Sequence, residues 1–457
     1  MPLTILTDSQ IRTLLLSLTR EDVVALQNEL AETLHDYSTG SQDSTQCSSA
    51  NQPQRISLQR RDGVTTLFMP ASTNGMTGIK IVSLMAPGIE EERESVRSSG
   101  GGRSSGMTRG VGSSSTIKST ETNTPQSNSS TASAQSTTPK GSITLLSSTG
   151  VPEAFIAAEE LTAFRTALAA TLLFRNRHRV HSICVFGAGK QAFWHIRLAL
   201  LLRGREIHHL NIVNRSFERA RPLLKEIYTT EHWTHLRTSN EKLSFSLLTP
   251  ASVDYPRLLL SHIRSADVLF CCTPSTTPLF PASILLSSEG RKKGRYISLI
   301  GSYKPHMLEL DPAILTAATA PAHSNHHHKH AKSEKSGVVV VDGLEACLKE
   351  AGEVIQASLG PKHLVEIGEL CMIKRAMRSE REAASETSSQ TSGSTSSSSD
   401  KDRAFNSNEA DTLQKWLERG NVIYKSVGLG VMDVCVGSAI VRMARERGLG
   451  VNVDDFS

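Results

Sequence analysis

HSICVFGAGKQAFWHIRLALLLRG, residues 181–204, decides how the rest of this 457-residue chain is read. Ile183 to Phe186 is a continuous apolar run of the kind that forms a strand covered on both faces. Gly187-Ala188-Gly189-Lys190-Gln191-Ala192 comes next, and then a long apolar helix. The turn is a GxGxxA version of the loop that cradles dinucleotide phosphates. Gly187 permits the tight turn, Gly189 lets the backbone approach a pyrophosphate, and Ala192 is small enough for helix and strand to pack closely. The helix start then offers free N–H groups and the positive end of its dipole. Such a motif alone is weak evidence. Here it stands where the mechanism needs it, between a strand and a helix, and a second strand, IHHLNIVN (207–214), follows.

The end of that second strand predicts the cofactor. Proteins that take NAD usually place Asp or Glu there for the ribose 2′-hydroxyl, whereas an Arg accommodates a 2′-phosphate. Asn214-Arg215-Ser216 carries no carboxylate. Arg215 can pair with the phosphate and Ser216 can donate to it. NADPH is therefore expected, with NADH possible; the alternative for Arg215 is a solvated surface residue. Apolar, β-branched runs at 266–273, 295–301 and 337–343 predict further parallel strands. Thr273-Pro274-Ser275 and Gly301-Ser302-Tyr303 end two of them, at the carboxyl edge where doubly wound sheets bind ligands.

Upstream, strands are expected at 3–6, 56–59, 65–70 and 78–85, resuming within 142–155. Asp62-Gly63 marks a hairpin between the second and third. Helices are expected from near Gln10, capped by Asp8 or Ser9, over Arg20–Leu34 and over Leu161–Phe174. The fold class is thus α/β, with a Rossmann-type dinucleotide-binding domain beside an α+β domain of mostly antiparallel strands. The expected division is 1–175, 176–420 for the Rossmann domain, and 421–457 returning to the first part.

Hydrophobic residues make up only 38% of the chain. The deficit lies in segments 91–140 and 378–408, rich in Ser, Thr and Gly, and in 321–336, which holds HSNHHHKH. Too apolar-poor to offset the entropy of ordering, they read as insertions. Regulatory phosphorylation is the less favoured reading of them. The His run lacks acids or cysteines at ligand spacing, and no metal is expected. No apolar run is long enough to span a bilayer. The start MPLTILTDSQ lacks the features of a secretory signal. The seven cysteines form no CxxC pair, which suits thiols in a reducing compartment, so a cytoplasmic protein is expected. A net charge of +5 and no aromatic-basic interleaving give no reason to expect nucleic acid.

Nine blocks, covering nearly all of the chain outside the insertions, resemble the ornithine cyclodeaminase/mu-crystallin family and come in its order. They are FMPAS (68–72), GIKIVSL (78–84), STGVPEAF (148–155), LTAFRTALAA (161–170), FGAGKQAFWH (186–195), ADVLFCCTPSTTPLF (266–280), ISLIGSYKPHMLELD (297–311), VVVDGLEACLKEAGEV (339–354) and IYKSVGLGVMDVCVGSAI (423–440). The resemblance implies nicotinamide-dependent chemistry on amino acids or their cyclic imines. It also implies a homodimer whose first domain binds substrate and dimerises, with the C-terminal segment returning to that domain.

By that resemblance Arg55, Lys80 and Arg165 hold the substrate carboxylate, which suits bidentate guanidinium groups and a lysine point charge. The competing reading of Lys80 is an edge-strand charge that discourages aggregation, and the competing reading weighs more for Arg55, whose neighbourhood is less distinctive. Thr166 and Ser426 would approach the cofactor, together with Gly187, Ala188, Gly189, Gln191, Asn214, Arg215, Ser216, Thr273 and Ser275. Asp433 would fix the returning helix. In ornithine cyclodeaminases the loop after the ISLIG-type strand carries an Asp that handles the substrate amino group; Tyr303 stands there in this chain, and Met307 falls where that loop has a lysine. The departure favours reduction of a cyclic ketimine, such as a pyrroline- or piperideine-carboxylate. Tyr303 would then supply a proton or only line the pocket. Two alternatives remain: a cyclodeaminase making proline from ornithine with Glu309 or Asp311 as its acid, and a non-catalytic protein that binds NADPH and a small ligand.

Overall fold

The computed structural model describes residues 2–40, 51–61, 63–84, 140–320, 337–371, 412–454 and 456. The His-rich and Ser-rich insertions, Cys47 and Asp62 lie outside the described residues, so the hairpin signal at Asp62 and the readings of the insertions are not addressed by it.

Two sheets organise the described chain. The first has seven strands in the order β15-β1-β6-β5-β4-β3-β2. Its members are β1 (Leu3–Leu6), β2 (Ile56–Gln59), β3 (Thr65–Ser72), β4 (Met76–Leu84), β5 (Lys140–Ser147), β6 (Pro152–Ala157) and β15 (Val451–Val453). Every pairing in it is antiparallel except β1 with β6. The alternation along β4 follows from period two: Gly78, Lys80, Val82 and Leu84 are buried, and the residues between them are partly exposed. The buried face packs on helix Gly430–Glu446 and, at β5, on Glu159–Phe174, and helix Arg20–Thr39 packs on those two helices.

The second sheet has eight strands in the order β13-β12-β14-β11-β10-β7-β8-β9, all parallel. They are β7 (Ser182–Phe186), β8 (His209–Val213), β9 (Ser244–Leu248), β10 (Val268–Cys271), β11 (Tyr296–Leu299), β12 (Val339–Val341), β13 (Leu364–Glu366) and β14 (Val422–Lys425). Strand order reverses at β7: β8 and β9 lie on one side, and β10 and everything beyond it on the other. This is the Rossmann-type arrangement, and the β7/β10 gap is its switch point, where ligands bind. Gly187 sits at that gap with φ +107°, and an added Cβ would lie 2.9 Å from the Cys272 carbonyl oxygen. Only glycine meets both demands.

Helix Glu159–Phe174 lies between the two layers, with nearly every side chain buried. A helix apolar on all sides has to be covered on all sides. Here the helices Asp8–Leu16, Arg20–Thr39, Lys190–Arg203 and Gly430–Glu446 cover it.

Several expectations change in detail. Thr7, not Asp8 or Ser9, caps the first helix, because its side chain accepts from the Gln10 N–H while Gln10 reaches back. Such a capping box satisfies two orphan donors at once. The second helix runs on to Thr39, where its apolar stripe becomes mixed. Strands β9, β13 and β15 are short or mixed in polarity and carry little signal in the sequence. The largest difference is at 421–457. Val422–Lys425 is an inner strand of the eight-stranded sheet, between β11 and β12, and the return to the first layer begins with helix Gly430–Glu446. The four residues of β14 are all buried, as an inner parallel strand requires.

Candidate active site

The cluster is built around Asp433. This acid stands in the apolar stretch of helix Gly430–Glu446 that faces the first sheet, and it is fully buried. Lys80 Nζ lies 3.1 and 3.2 Å from its two carboxylate oxygens. Arg165 Nε donates to the same carboxylate at 3.0 Å. Lys80 and Arg165 are each only 3% exposed. Lys80 is on β4, an interior strand with β3 and β5 on either side, so the edge-strand explanation of its charge fails. Asp433 does tie the returning helix down, as the sequence suggests, but it does so by gripping two of the three basic residues.

Arg55 arrives from the start of β2. It pairs with Glu350 at 2.7 Å, and its other contacts are the carbonyls of Val427 and Gly428, at 3.5 and 3.4 Å. Gly428 has φ +88°, and a Cβ there would come within 3.0 Å of the Arg165 guanidinium. The turn Ser426–Gly428 thus brings Arg55 and Arg165 to one place. Three cations meet two carboxylates in direct ion pairs, and a third buried carboxylate, that of Asp342, stands on the same turn. Burial holds Lys80 down to about 8, with Asp433 pulling it back up and Arg165 pushing it further down.

Asp342, which the sequence reading does not single out, builds that turn. It is fully buried at the end of β12. Its carboxylate accepts from the Ser426 hydroxyl at 2.6 Å and from the N–H groups of Gly428, Val427 and Gly343 at 2.7, 3.1 and 3.0 Å. Ser426, expected beside the cofactor, is therefore committed to Asp342. The available signal was an acid directly after an apolar strand and before a glycine, at the ligand-binding edge of a parallel sheet.

A second buried network joins the ends of β10 and β11. The N–H groups of Thr273 and Gly301 donate to the two oxygens of Glu309 at 2.7 and 2.6 Å. Glu353 accepts from the Glu309 N–H at 2.7 Å and from the Ser302 hydroxyl. Lys425 Nζ is 3.2 Å from Glu353 and bonds the Ser302 carbonyl and hydroxyl. Burial pushes Glu309 up to about 8, against the pull of Lys425 and with a push from Glu353. Both oxygens of Glu309 are engaged, and Asp311 caps helix Pro312–Thr319 by accepting from the Ala313 N–H. Neither is placed as a free acid, and Met307 is buried. Burial raises the phenol of Tyr303, making it a poorer proton donor near neutrality. Among the described residues no hydrogen bond or ion pair links Tyr303 to Arg55, Lys80 or Arg165.

The fingerprint turn fits a dinucleotide. Helix Lys190–Arg203 begins at Gly189, and an added Cβ on Gly189 meets nothing within 4 Å, so the backbone faces open space. The first-turn N–H groups have no intrahelical acceptor. Gly187 is buried against Cys272, Thr273 begins the loop after β10, and Ala188 and Gln191 are partly buried beside them. Ser275 turns its hydroxyl to the Thr277 carbonyl. At the end of β8, Asn214 bonds the Ser216 carbonyl, Ser216 caps the next helix, and Arg215 is exposed. Thr166 is buried and bonds its own helix at Thr162.

Among the described residues no group of His, Cys, Asp and Glu could hold a metal, and no helix is long and apolar enough to cross a membrane. No family model matches the sequence. The chain is 25% identical over 310 residues to Δ1-pyrroline-2-carboxylate reductase of Bacillus cereus, covering 67% of this chain and 71% of that protein. It is 26% identical over 212 residues to ketimine reductase mu-crystallin of Macropus fuliginosus, covering 46% of this chain and 51% of that protein. Its fold matches the solved structure of Thermococcus litoralis Δ1-pyrroline-2-carboxylate reductase in complex with NADH and L-proline. There the TM-score is 0.60 at 16% identity, over 99% of this chain and 100% of the other. In sequence the chain is thus similar to proteins named as Δ1-pyrroline-2-carboxylate reductase and ketimine reductase mu-crystallin, and it shares its fold with a solved Δ1-pyrroline-2-carboxylate reductase.

Proposed function

We propose that this protein is an NAD(P)H-dependent reductase of cyclic imines that carry a carboxylate, such as pyrroline- or piperideine-carboxylate. One observation carries the reading: Lys80 and Arg165 share a single buried carboxylate, and Arg55 stands beside them, so three cations converge on one place. Such a convergence suits a substrate carboxylate. The relatives named for pyrroline-2-carboxylate and ketimine reduction support the same chemistry.

In this reading the bound nicotinamide supplies a hydride to the C=N carbon. The chain's own residues do the rest. Arg55, Lys80 and Arg165 grip the carboxylate and fix the imine carbon relative to the β7/β10 gap, which lowers the entropic part of the barrier. A protonated imine is already electrophilic, so little acid catalysis is needed. That agrees with a raised Tyr303 phenol and with Glu309 and Asp311 committed elsewhere. The same commitments count against cyclodeamination of ornithine.

Arg215 makes NADPH the preferred cofactor, since an exposed guanidinium at the end of β8 suits a 2′-phosphate and no carboxylate stands there to bond a 2′-hydroxyl. Purified protein is expected to oxidise NADPH in a saturable way with pyrroline-2-carboxylate or piperideine-2-carboxylate. Arg215→Ala is expected to raise KM for NADPH about tenfold or more while leaving that for NADH unchanged. Bound NADPH with no turnover on either imine would move the protein to the binding-only reading. Ammonia release from ornithine would move it to cyclodeamination.

The outer face of the first sheet supports a homodimer. Ile56, Phe68 and Ile81 are neighbours across β2, β3 and β4, Leu58 lies beside them, and Phe155 stands two strands from Ile79 on the same face. Ile56, Leu58 and Phe155 are exposed. An apolar sheet face of this kind calls for a cover, and a second copy provides one. Sedimentation equilibrium is expected to give twice the chain mass, falling to the monomer in Phe155→Glu. A wild-type monomer at micromolar concentration would rule this out.

A further inference from the structure

Three helix starts converge beside the fingerprint turn. Asp8 opens helix Asp8–Leu16, Glu159 and Glu160 open helix Glu159–Phe174, and Lys190 opens helix Lys190–Arg203. Lys190 Nζ lies 2.7 Å from Glu160, 2.9 Å from Glu159 and 3.4 Å from Asp8. Arg12 is the other cation there, 3.1 Å from Glu160 and 2.5 Å from Glu226. Glu160 is held further by the Trp194 indole N–H at 2.8 Å, and its backbone N–H donates to Asp8 at 2.9 Å. Each acid at a helix start is stabilised by the dipole it faces. Together they leave the region short of positive charge: four carboxylates share Lys190 and Arg12. The acids hold the Lys190 pKa up, so its charge is secure.

This arrangement is unusual for the place where it occurs. Lys190 is the first residue of the helix whose start, in the reading above, receives a pyrophosphate. A lysine there would ordinarily be taken as a phosphate ligand. Its ammonium is instead occupied by acids from two helices that cover the other sheet. Without it, Asp8 and Glu159, both partly exposed, would lose the cation that joins them to the start of helix Lys190–Arg203.

We infer that Lys190 is a positioning residue: it screens the dinucleotide phosphates from Asp8, Glu159 and Glu160, and so makes cofactor affinity depend on the layer that carries the substrate cluster. The inference rests on the proposed use of NAD(P)H.

The test is a set of NADPH dissociation constants from nucleotide fluorescence, with full-length wild type, Lys190→Met, Glu159→Gln and the double variant, at low and high salt. Lys190→Met is expected to bind about tenfold more weakly at low salt, with the defect shrinking as salt screens the acids. Glu159→Gln alone is expected to bind as tightly as wild type or tighter. The double variant is expected to recover most of the loss. Melting curves of each apo variant identify any that has not folded; should Lys190→Met fail to fold, Lys190→Gln replaces it. A loss that Glu159→Gln does not relieve means direct phosphate contact or plain structure and overturns the inference. So does wild-type affinity in Lys190→Met. A wild type that binds neither NADPH nor NADH sinks the cofactor reading itself, and this inference with it.

Discussion

Lys80→Met is expected to lower kcat/KM for a carboxylate-bearing imine by about 10²–10³-fold while the protein stays folded and is as stable as wild type or more so. The two halves have one cause. Lys80 is buried, and its ammonium is there at a cost. Its pKa is 10.5 when exposed and about 8 in the fold. Between those values the unfolded chain binds the proton more readily than the folded one. Stability therefore rises with pH from about 8 to 10.5, and below pH 8 the full penalty, about 3 kcal/mol, is present. Methionine fills similar space without that charge, and Asp433 keeps Arg165 as a partner. For the substrate, losing a desolvated charged partner costs about 2–5 kcal/mol, hence the fall in kcat/KM. Steady-state rates and urea midpoints at pH 7 and pH 10 check both halves. The midpoint of Lys80→Met should also lack the rise that wild type shows across that pH window. An active Lys80→Met would remove the lysine from the carboxylate clamp, and an unfolded one would make it structural.

Asp342→Ala is expected to cost about 4 kcal/mol or more of stability. The carboxylate satisfies one hydroxyl and three backbone N–H groups in a fully buried place. A buried donor left unsatisfied costs about 1–3 kcal/mol, and water entering the gap recovers only part. Activity measured well below the melting temperature is expected to fall too, because the turn that Asp342 holds sets Arg55 and Arg165. Asp342→Asn keeps an acceptor and should lose clearly less. A change under about 1 kcal/mol in Asp342→Ala would mean that the turn holds itself.

The Rossmann-type sheet was legible because its signals are local. GAGKQA needs a strand before it and a helix after it, and both are written in adjacent residues. The apolar runs that became β7, β10, β11 and β12 stand out for the same reason. Strand β14 was not legible as part of that sheet. Its four residues resemble any apolar strand, and their place between β11 and β12 depends on partners far away in sequence. The candidate site divides in the same way. Arg55, Lys80 and Arg165 were named from family-like blocks, and the structure brings Arg55 and Arg165 to one turn and Lys80 to the carboxylate that Arg165 shares. That Asp433 holds two of them, and that Asp342 shapes the turn, are consequences of tertiary packing. The expected cap at Asp8 gave way to Thr7 because capping depends on backbone geometry one residue away. Glu309 looked available as an acid only because the sequence hides the two N–H groups that occupy it.

Strand β14 also bears on how the chain folds. It lies between β11 and β12, yet it is made after both, so the β12–β13 pair has nothing to join to β11 until residues 422–425 leave the ribosome. The first sheet can pair without its last strand, but its edge at β1 stays open until β15 arrives. Contacts of such long sequence separation are slow to form, because loop closure comes before the reward. Folding during synthesis is therefore expected to stall at two part-built sheets with open edges, which is the stage most exposed to aggregation.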